Sequence, residues 1–162
     1  MRLKRRAFLE LGGAAAASAL VSLGRPRDAA ASVRFPINHT PAEWRKLLGP
    51  RRYAVLREAA TERPFSSPLL KEHRRGAFVC AGCGLPLFSS ATKFESGTGW
   101  PSFWKVLPGA VINRADRSLM MERTEVLCRR CGGHLGHLFD DGPRPTGLRY
   151  CINGLALNFR AA

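Results

Sequence analysis

Apolar positions along the chain fall into three textures. Leu11 to Leu23 is a nearly continuous run rich in Ala and Gly. Between Thr40 and Ala60 apolar residues recur at helical spacing, and from Gly76 onward they come in short runs separated by Gly, Pro, Ser and Asp. Thr40 with Glu43 three residues on forms a capping box, and Pro41 occupies the first helical position, so a helix is predicted to start there. Trp44, Leu47 and Leu48 share one face of it, and Gly49-Pro50 ends it. A second helix is predicted from about Pro50 to Ala60, with Tyr53, Leu56 and Ala60 in line. The later runs, "AFVCA", "PLFSS", "EVLC", "HLF", "RYCIN" and "LALNF", read as antiparallel strands and their turns. The fold class is therefore mainly β: two packed antiparallel sheets behind short N-terminal helices.

The opening run has a different meaning. It follows Arg5-Arg6 in a basic stretch, it is well short of the about 20 residues that span a bilayer, and Ala29-Ala30-Ala31 offers a small-residue cleavage site. Residues 1–31 resemble a twin-arginine signal peptide, leaving residues 32–162 as one domain. The resemblance implies export to the periplasm or another extracytoplasmic space and no stable membrane anchor, an uncleaved anchor being the competing reading. The net charge of the chain is +14, and residues 32–162 alone keep +10. Those arginines are scattered as Arg51-Arg52, Arg74-Arg75 and Arg129-Arg130 without forming a stripe, which favours a solvated basic surface over a nucleic-acid partner.

The cysteines carry the chemistry. Cys80-Ala-Gly-Cys83 and Cys128-Arg-Arg-Cys131 are two CxxC knuckles, each followed by glycine. Two such turns supply four thiolates to a tetrahedral zinc ion and leave no open coordination position, so the metal would be structural. Two local disulfides are the rival reading in an exported chain. A CxxC disulfide, however, closes too short a loop to stabilise much.

Cys151 is left without a partner. On a strand its face is shared with Arg149 and Asn153, while Tyr150 and Ile152 point the other way. Arg149 is expected to favour the nucleophilic thiolate and Asn153 to orient a reacting group; the alternative is a buried, inert cysteine. His134 and His137 lie upstream, and from spacing alone they fit proton donors, metal ligands or bystanders equally well. Trp100, Phe103 and Trp104 cluster beside glycines, where rings wall a pocket or simply fill a core.

Taken together, "CAGCGLPLFSSATKFESGTGWPSFW" and "CRRCGGHLGHLFDDGPRPTGLRYCINGLALNF" resemble the methionine-R-sulfoxide reductase family from about Pro41 to Phe159. The resemblance implies two antiparallel sheets with N-terminal helices, a structural zinc (Zn2+) on Cys80, Cys83, Cys128 and Cys131, and Cys151 as nucleophile. It further implies His134, His137 and Asn153 around the sulfoxide oxygen, Trp100 against the S-methyl group, and Phe139 and Arg149 lining or supporting the site. The implied substrate is the R epimer in oxidised proteins or peptides, reduced through a Cys151 sulfenic acid. Many relatives carry a resolving cysteine in "SGCGWPSF"; here that position is Thr98. Regeneration is then expected to need an external thiol of the thioredoxin or glutathione type. The competing class is a zinc-ribbon module that binds single-stranded nucleic acid.

Overall fold

The computed structural model describes residues 34–118 and 122–162. The signal-peptide expectation for residues 1–31 lies outside the described residues. The fold opens with helix α1 (Pro41–Glu58), whose first turn has the expected capping box: Glu43 N–H donates to Thr40 Oγ1 at 3.3 Å and Thr40 N–H donates to the Glu43 carboxylate at 2.7 Å. Gly49 interrupts the helix at φ 68°, ψ 169°, a conformation only glycine adopts cheaply, so the two predicted helical segments meet at a kink before Pro50. Trp44, Tyr53 and Leu56 pack into the core. Leu47 does not: it is 62% exposed, a correction to the predicted face.

Among the described residues nine strands follow. β1 (Gly76–Cys80) lies between β2 (Pro86–Ser89) and β9 (Leu157–Ala161) in a three-stranded antiparallel sheet. The second sheet has the order β3-β4-β8-β7-β6-β5, formed by β3 (Lys93–Phe94), β4 (Ser102–Phe103), β8 (Arg149–Ile152), β7 (His134–Phe139), β6 (Arg123–Cys128) and β5 (Val111–Asp116). Its pairs are antiparallel throughout. The core contains Phe78, Leu87 and Phe88 from the small sheet and Phe103, Val126, Leu135, Tyr150 and Ile152 from the large one. Phe88 stacks on Phe103 with centroids 4.3 Å apart, and Phe78 meets the same ring edge-on at 4.9 Å. Expectation and structure agree on a mainly β domain of two antiparallel sheets.

Alternation along β8 sends Tyr150 and Ile152 into this core and leaves Cys151 on the opposite face, only partly buried. β7 and β8 approach closely at Gly136, where any Cβ would stand 2.0 Å from the Cys151 carbonyl oxygen. Glycine there is what allows the two catalytic-looking strands to pair in register.

Candidate functional site: a thiol cleft beside a four-cysteine centre

The two knuckles have the same backbone. Gly84 N–H donates to Cys80 O and Gly132 N–H to Cys128 O, both at 2.8 Å, and both glycines have positive φ, 70° and 67°. Cys80 ends β1 in the small sheet and Cys128 ends β6 in the large one. The four sulfurs lie within 4.8 Å of one another, with Cys80 to Cys131 at 3.7 Å and Cys83 to Cys128 at 3.6 Å. Zinc bound to four thiolates at about 2.3 Å places its sulfurs roughly 3.8 Å apart, so the donor set fits that ion. All five cysteines are free thiols, and these separations are far beyond the about 2.05 Å of a disulfide. The cluster contains neither His134 nor His137. Arg130 hydrogen-bonds Cys83 Sγ at 3.5 Å, a charge contact suited to a thiolate.

Cys151 sits apart from this cluster in a cleft of about 200 Å³. Trp100, His137, Phe139 and Asn153 line it with Cys151, joined by Thr61, Arg123 and Gly136. Five of the seven sequence-predicted non-metal residues therefore converge on one cavity. Of the three aromatic residues near Gly99, Trp100 reaches the cleft, whereas Phe103 is fully buried core. The Trp100 ring is fixed by its Nε1–H, which donates to Glu62 O at 3.1 Å.

His137 is the β7 residue directly across from Cys151. Its Nε2 is bonded to Asp116 Oδ2 at 2.8 Å, and Asp116 is also bonded to Arg123 at 2.8 Å. Burial holds the His137 pKa below its ordinary value, against the opposing pull of Asp116. Hydrogen bonds from Ser118, then His137, hold the Asp116 carboxyl well below the usual range. His134 lies beside it, ring centroids 5.5 Å apart, with Nδ1 bonded to Glu125 Oε1 at 2.7 Å. It is buried, it does not line the cleft, and its Nε2 has no partner among the described residues. Burial pushes the Glu125 carboxyl up, but His134 and Arg114 outweigh that and leave it lowered.

Two of the expected site residues also carry other contacts. The Arg149 guanidinium favours the Cys151 thiolate as expected, but it is forked onto Asp141, Nε to Oδ1 at 2.7 Å and Nη2 to Oδ2 at 2.8 Å. It also lies over the Phe139 ring at 4.3 Å. Burial pushes the Cys151 thiol above its ordinary pKa, and Thr98 and Arg149 only partly offset this. Asn153, which lines the cleft, is fixed by two contacts: its Oδ1 accepts from Glu62 N–H at 3.0 Å and its Nδ2 donates to Leu135 O at 3.2 Å. These tie Glu62 to β7 and leave one amide hydrogen for a ligand.

Sequence reasoning missed the carboxylates. Glu62 is buried, and its two oxygens accept from Gly154 N–H and, at 3.1 Å, Leu155 N–H. Asp116, Glu125 and Asp141 each hold one of the basic residues that the sequence did flag. Only Glu125, a charge inside the apolar run "EVLC", carried a local signal.

A β scaffold with a four-cysteine cluster that could hold a metal, and with one further thiol in an aromatic, histidine-edged cleft, has the make-up of a thiol enzyme. Residues 48–161 match the family model of the SelR domain. The chain is 53% identical over 129 residues to a peptide methionine sulfoxide reductase MsrB from Leptospira interrogans, covering 79% of this chain and 98% of that protein. It is 60% identical over 116 residues to one from Bradyrhizobium diazoefficiens (71% and 84% covered) and 55% identical over 121 residues to one from Thiobacillus denitrificans (74% and 92%). The chain belongs to the MsrB family of SelR-domain proteins. That membership does not favour the zinc-ribbon nucleic-acid reading.

Proposed function

We propose that the protein is a peptide-methionine (R)-S-oxide reductase, acting mainly on oxidised methionine in proteins, with Cys151 as nucleophile. The observation that carries this reading is the placement of Cys151: the one thiol outside the four-cysteine centre, directly across from His137 in a cleft walled by Trp100 and Phe139. The cleft suits a methyl thioether against the indole, with the sulfoxide oxygen toward the histidine side.

In the first half-reaction the Cys151 thiolate attacks the sulfoxide sulfur. His137, protonated, gives its proton to the sulfoxide oxygen as the S–S bond forms; the S–O bond then breaks, the oxygen bonds to the Cys151 sulfur as the S–S bond cleaves, and methionine leaves with Cys151 as a sulfenic acid. The sulfoxide is reduced by two electrons and the cysteine is oxidised by two. His134, held by Glu125, packs edge-on against the His137 ring. In the second half an external thiol attacks the sulfenic sulfur, releasing water and leaving a mixed disulfide, which a further thiol resolves. Thr98 supplies no sulfur for an internal disulfide, so the donor is a thioredoxin-like or glutathione-type thiol. Cys80, Cys83, Cys128 and Cys131 would hold a zinc ion that cross-links the two sheets, a structural role with all four ligands supplied by the protein.

Residues 1–31 would serve as a twin-arginine leader and residues 32–162 as the working domain outside the cytoplasm; the paired arginines and the short apolar run support this. The deciding experiment is turnover of a peptide with resolved sulfoxide epimers, using dithiothreitol as reductant. Wild type consumes the R epimer and Cys151→Ser does not; equal activity in the variant would overturn the reading.

A further inference from the structure

Ser102 is an anomaly the mechanism does not use. It is a polar side chain, only 1% exposed, on the β4 position paired with Cys151. Its hydroxyl starts a chain of contacts that ends at the reactive sulfur. Ser102 Oγ donates to Trp100 O at 3.1 Å; Ser96 Oγ lies 2.7 Å from Ser102 Oγ; Thr98 Oγ1 lies 2.8 Å from Ser96 Oγ; and Cys151 Sγ lies 3.9 Å from Thr98 Oγ1. Ser96 Oγ also accepts from Thr98 N–H at 3.4 Å.

Counting protons fixes the direction of this chain. With Cys151 as a thiol there are four protons, one on each side chain, for four links. The Trp100 carbonyl can only accept, so Ser102 must donate to it, Ser96 to Ser102, Thr98 to Ser96, and the thiol to Thr98. Every link is filled and the thiol is the donor. Once the sulfur loses its proton, the same links share one proton fewer, and one of them must go empty. A hydrogen bond to an anion is roughly twice as strong as one between neutral groups, so the empty link does not stay at the sulfur. It moves to the far end, the 3.1 Å contact with Trp100 O, the longest of the oxygen–oxygen contacts in the chain.

We infer that Thr98, Ser96 and Ser102 form a hydroxyl relay whose three O–H bonds reverse together when Cys151 ionises, bringing Thr98 round as a donor to the thiolate. Thr98 touches the sulfur; Ser96 and Ser102 are positioning residues that act through it. The relay makes ionisation give up the Ser102 bond to Trp100 O, so it restrains the thiolate even while Thr98 stabilises it. Charged groups also bear on this sulfur: His137 across on β7, Arg149 on the same strand with its partner Asp141, and Arg123 lining the cleft. All remain unchanged in the variants below.

The inference rests on Cys151 being the reacting thiol, but its test needs no turnover. The full chain with zinc bound is alkylated with iodoacetamide across pH, intact mass reports single labelling, and Cys151→Ser supplies the blank. Thr98→Val, which loses the donor, is expected to slow alkylation at neutral pH about five-fold, and Thr98→Ser to track wild type. Ser102→Ala and Ser96→Ala remove the competing demand for protons and are each expected to speed it about three-fold, with the titration curve moved to lower pH. A purely structural role for these serines gives the opposite sign, because a less polar surrounding disfavours the anion. Slower or unchanged alkylation in the serine variants, or no change in Thr98→Val, overturns the relay. Ser96 is only half-buried, so Ser96→Ala decides the sign should Ser102→Ala fail to fold. Loss of the relay with sulfoxide turnover intact would leave the proposed function standing.

Discussion

His137 and Cys151 are direct register partners on neighbouring strands, and the Nε2 of that histidine is bonded to Asp116 at 2.8 Å. The acid and the nucleophile of the proposed reaction are thus set by one antiparallel pair, with a carboxylate as the third member.

Burial lowers the pKa of His137 and raises that of Cys151, so the pair titrates in the order least favourable for having an imidazolium beside a thiolate. A bell-shaped profile of kcat/KM against pH is expected, its acid limb set by the histidine and its alkaline limb by the thiol. Asp116 opposes the drop in the His137 pKa, so Asp116→Asn lowers it further. The variant is expected to move the acid limb to lower pH and to lose about ten-fold in kcat/KM at neutrality. An acid limb that stays in place would show that the carboxylate does not act through the histidine.

The Thr98 hydroxyl stands 3.9 Å from the Cys151 sulfur, close enough for a sulfur in its place to reach it. One round of substrate without reductant should leave wild type heavier by one oxygen atom. Thr98→Cys should instead end lighter by two hydrogens, having expelled water to form an internal disulfide. Intact mass spectrometry reads both. Loss of two hydrogens in wild type would contradict regeneration by an external thiol alone.

Structural zinc sites of this type contribute on the order of 10 kcal/mol to folding. Cys128→Ala should remove zinc from the protein, measured by elemental analysis, and lower Tm by about 10 °C or more. An unchanged Tm in the metal-free variant would mean that the two sheets hold without the ion.

Glu62 predicts a stability effect with no charge partner involved. Its carboxylate bridges the N–H groups of Gly154 and Leu155, and its own N–H and C=O hold Asn153 and Trp100. Glu62→Ala should cost about 2–4 kcal/mol in urea denaturation, since one buried and one part-buried donor are stranded. Glu62→Gln, which keeps one acceptor oxygen, should recover part of that.

Local signals were legible and distant ones were not. The capping box at Thr40, the break at Gly49 and the two knuckles are each written within a few residues, and the sequence reads them correctly. β5 escaped notice because "VINRAD" is an edge strand with its middle exposed, lacking the apolar run that marks a buried one. Leu47 was placed on a buried face by helical spacing, although the core meets only the Trp44 side of that turn. The carboxylate partner of Arg149 could not be read from its neighbours on β8, because Asp141 lies beyond the strand in the preceding loop. Asp116 and Glu62 reach the site across 21 and 91 residues of chain, and no spacing rule encodes such contacts.

The centre that joins the sheets draws one pair of thiols from residues 80 and 83 and the other from 128 and 131. During synthesis the first pair leaves the ribosome long before the second exists, and until then it is a bare dithiol. In an oxidising compartment such a pair closes on itself. For a chain that is exported and holds zinc, as proposed, metal loading would then belong to the interval after the last knuckle has emerged and before the chain meets any oxidant, an order of events that the finished molecule no longer displays.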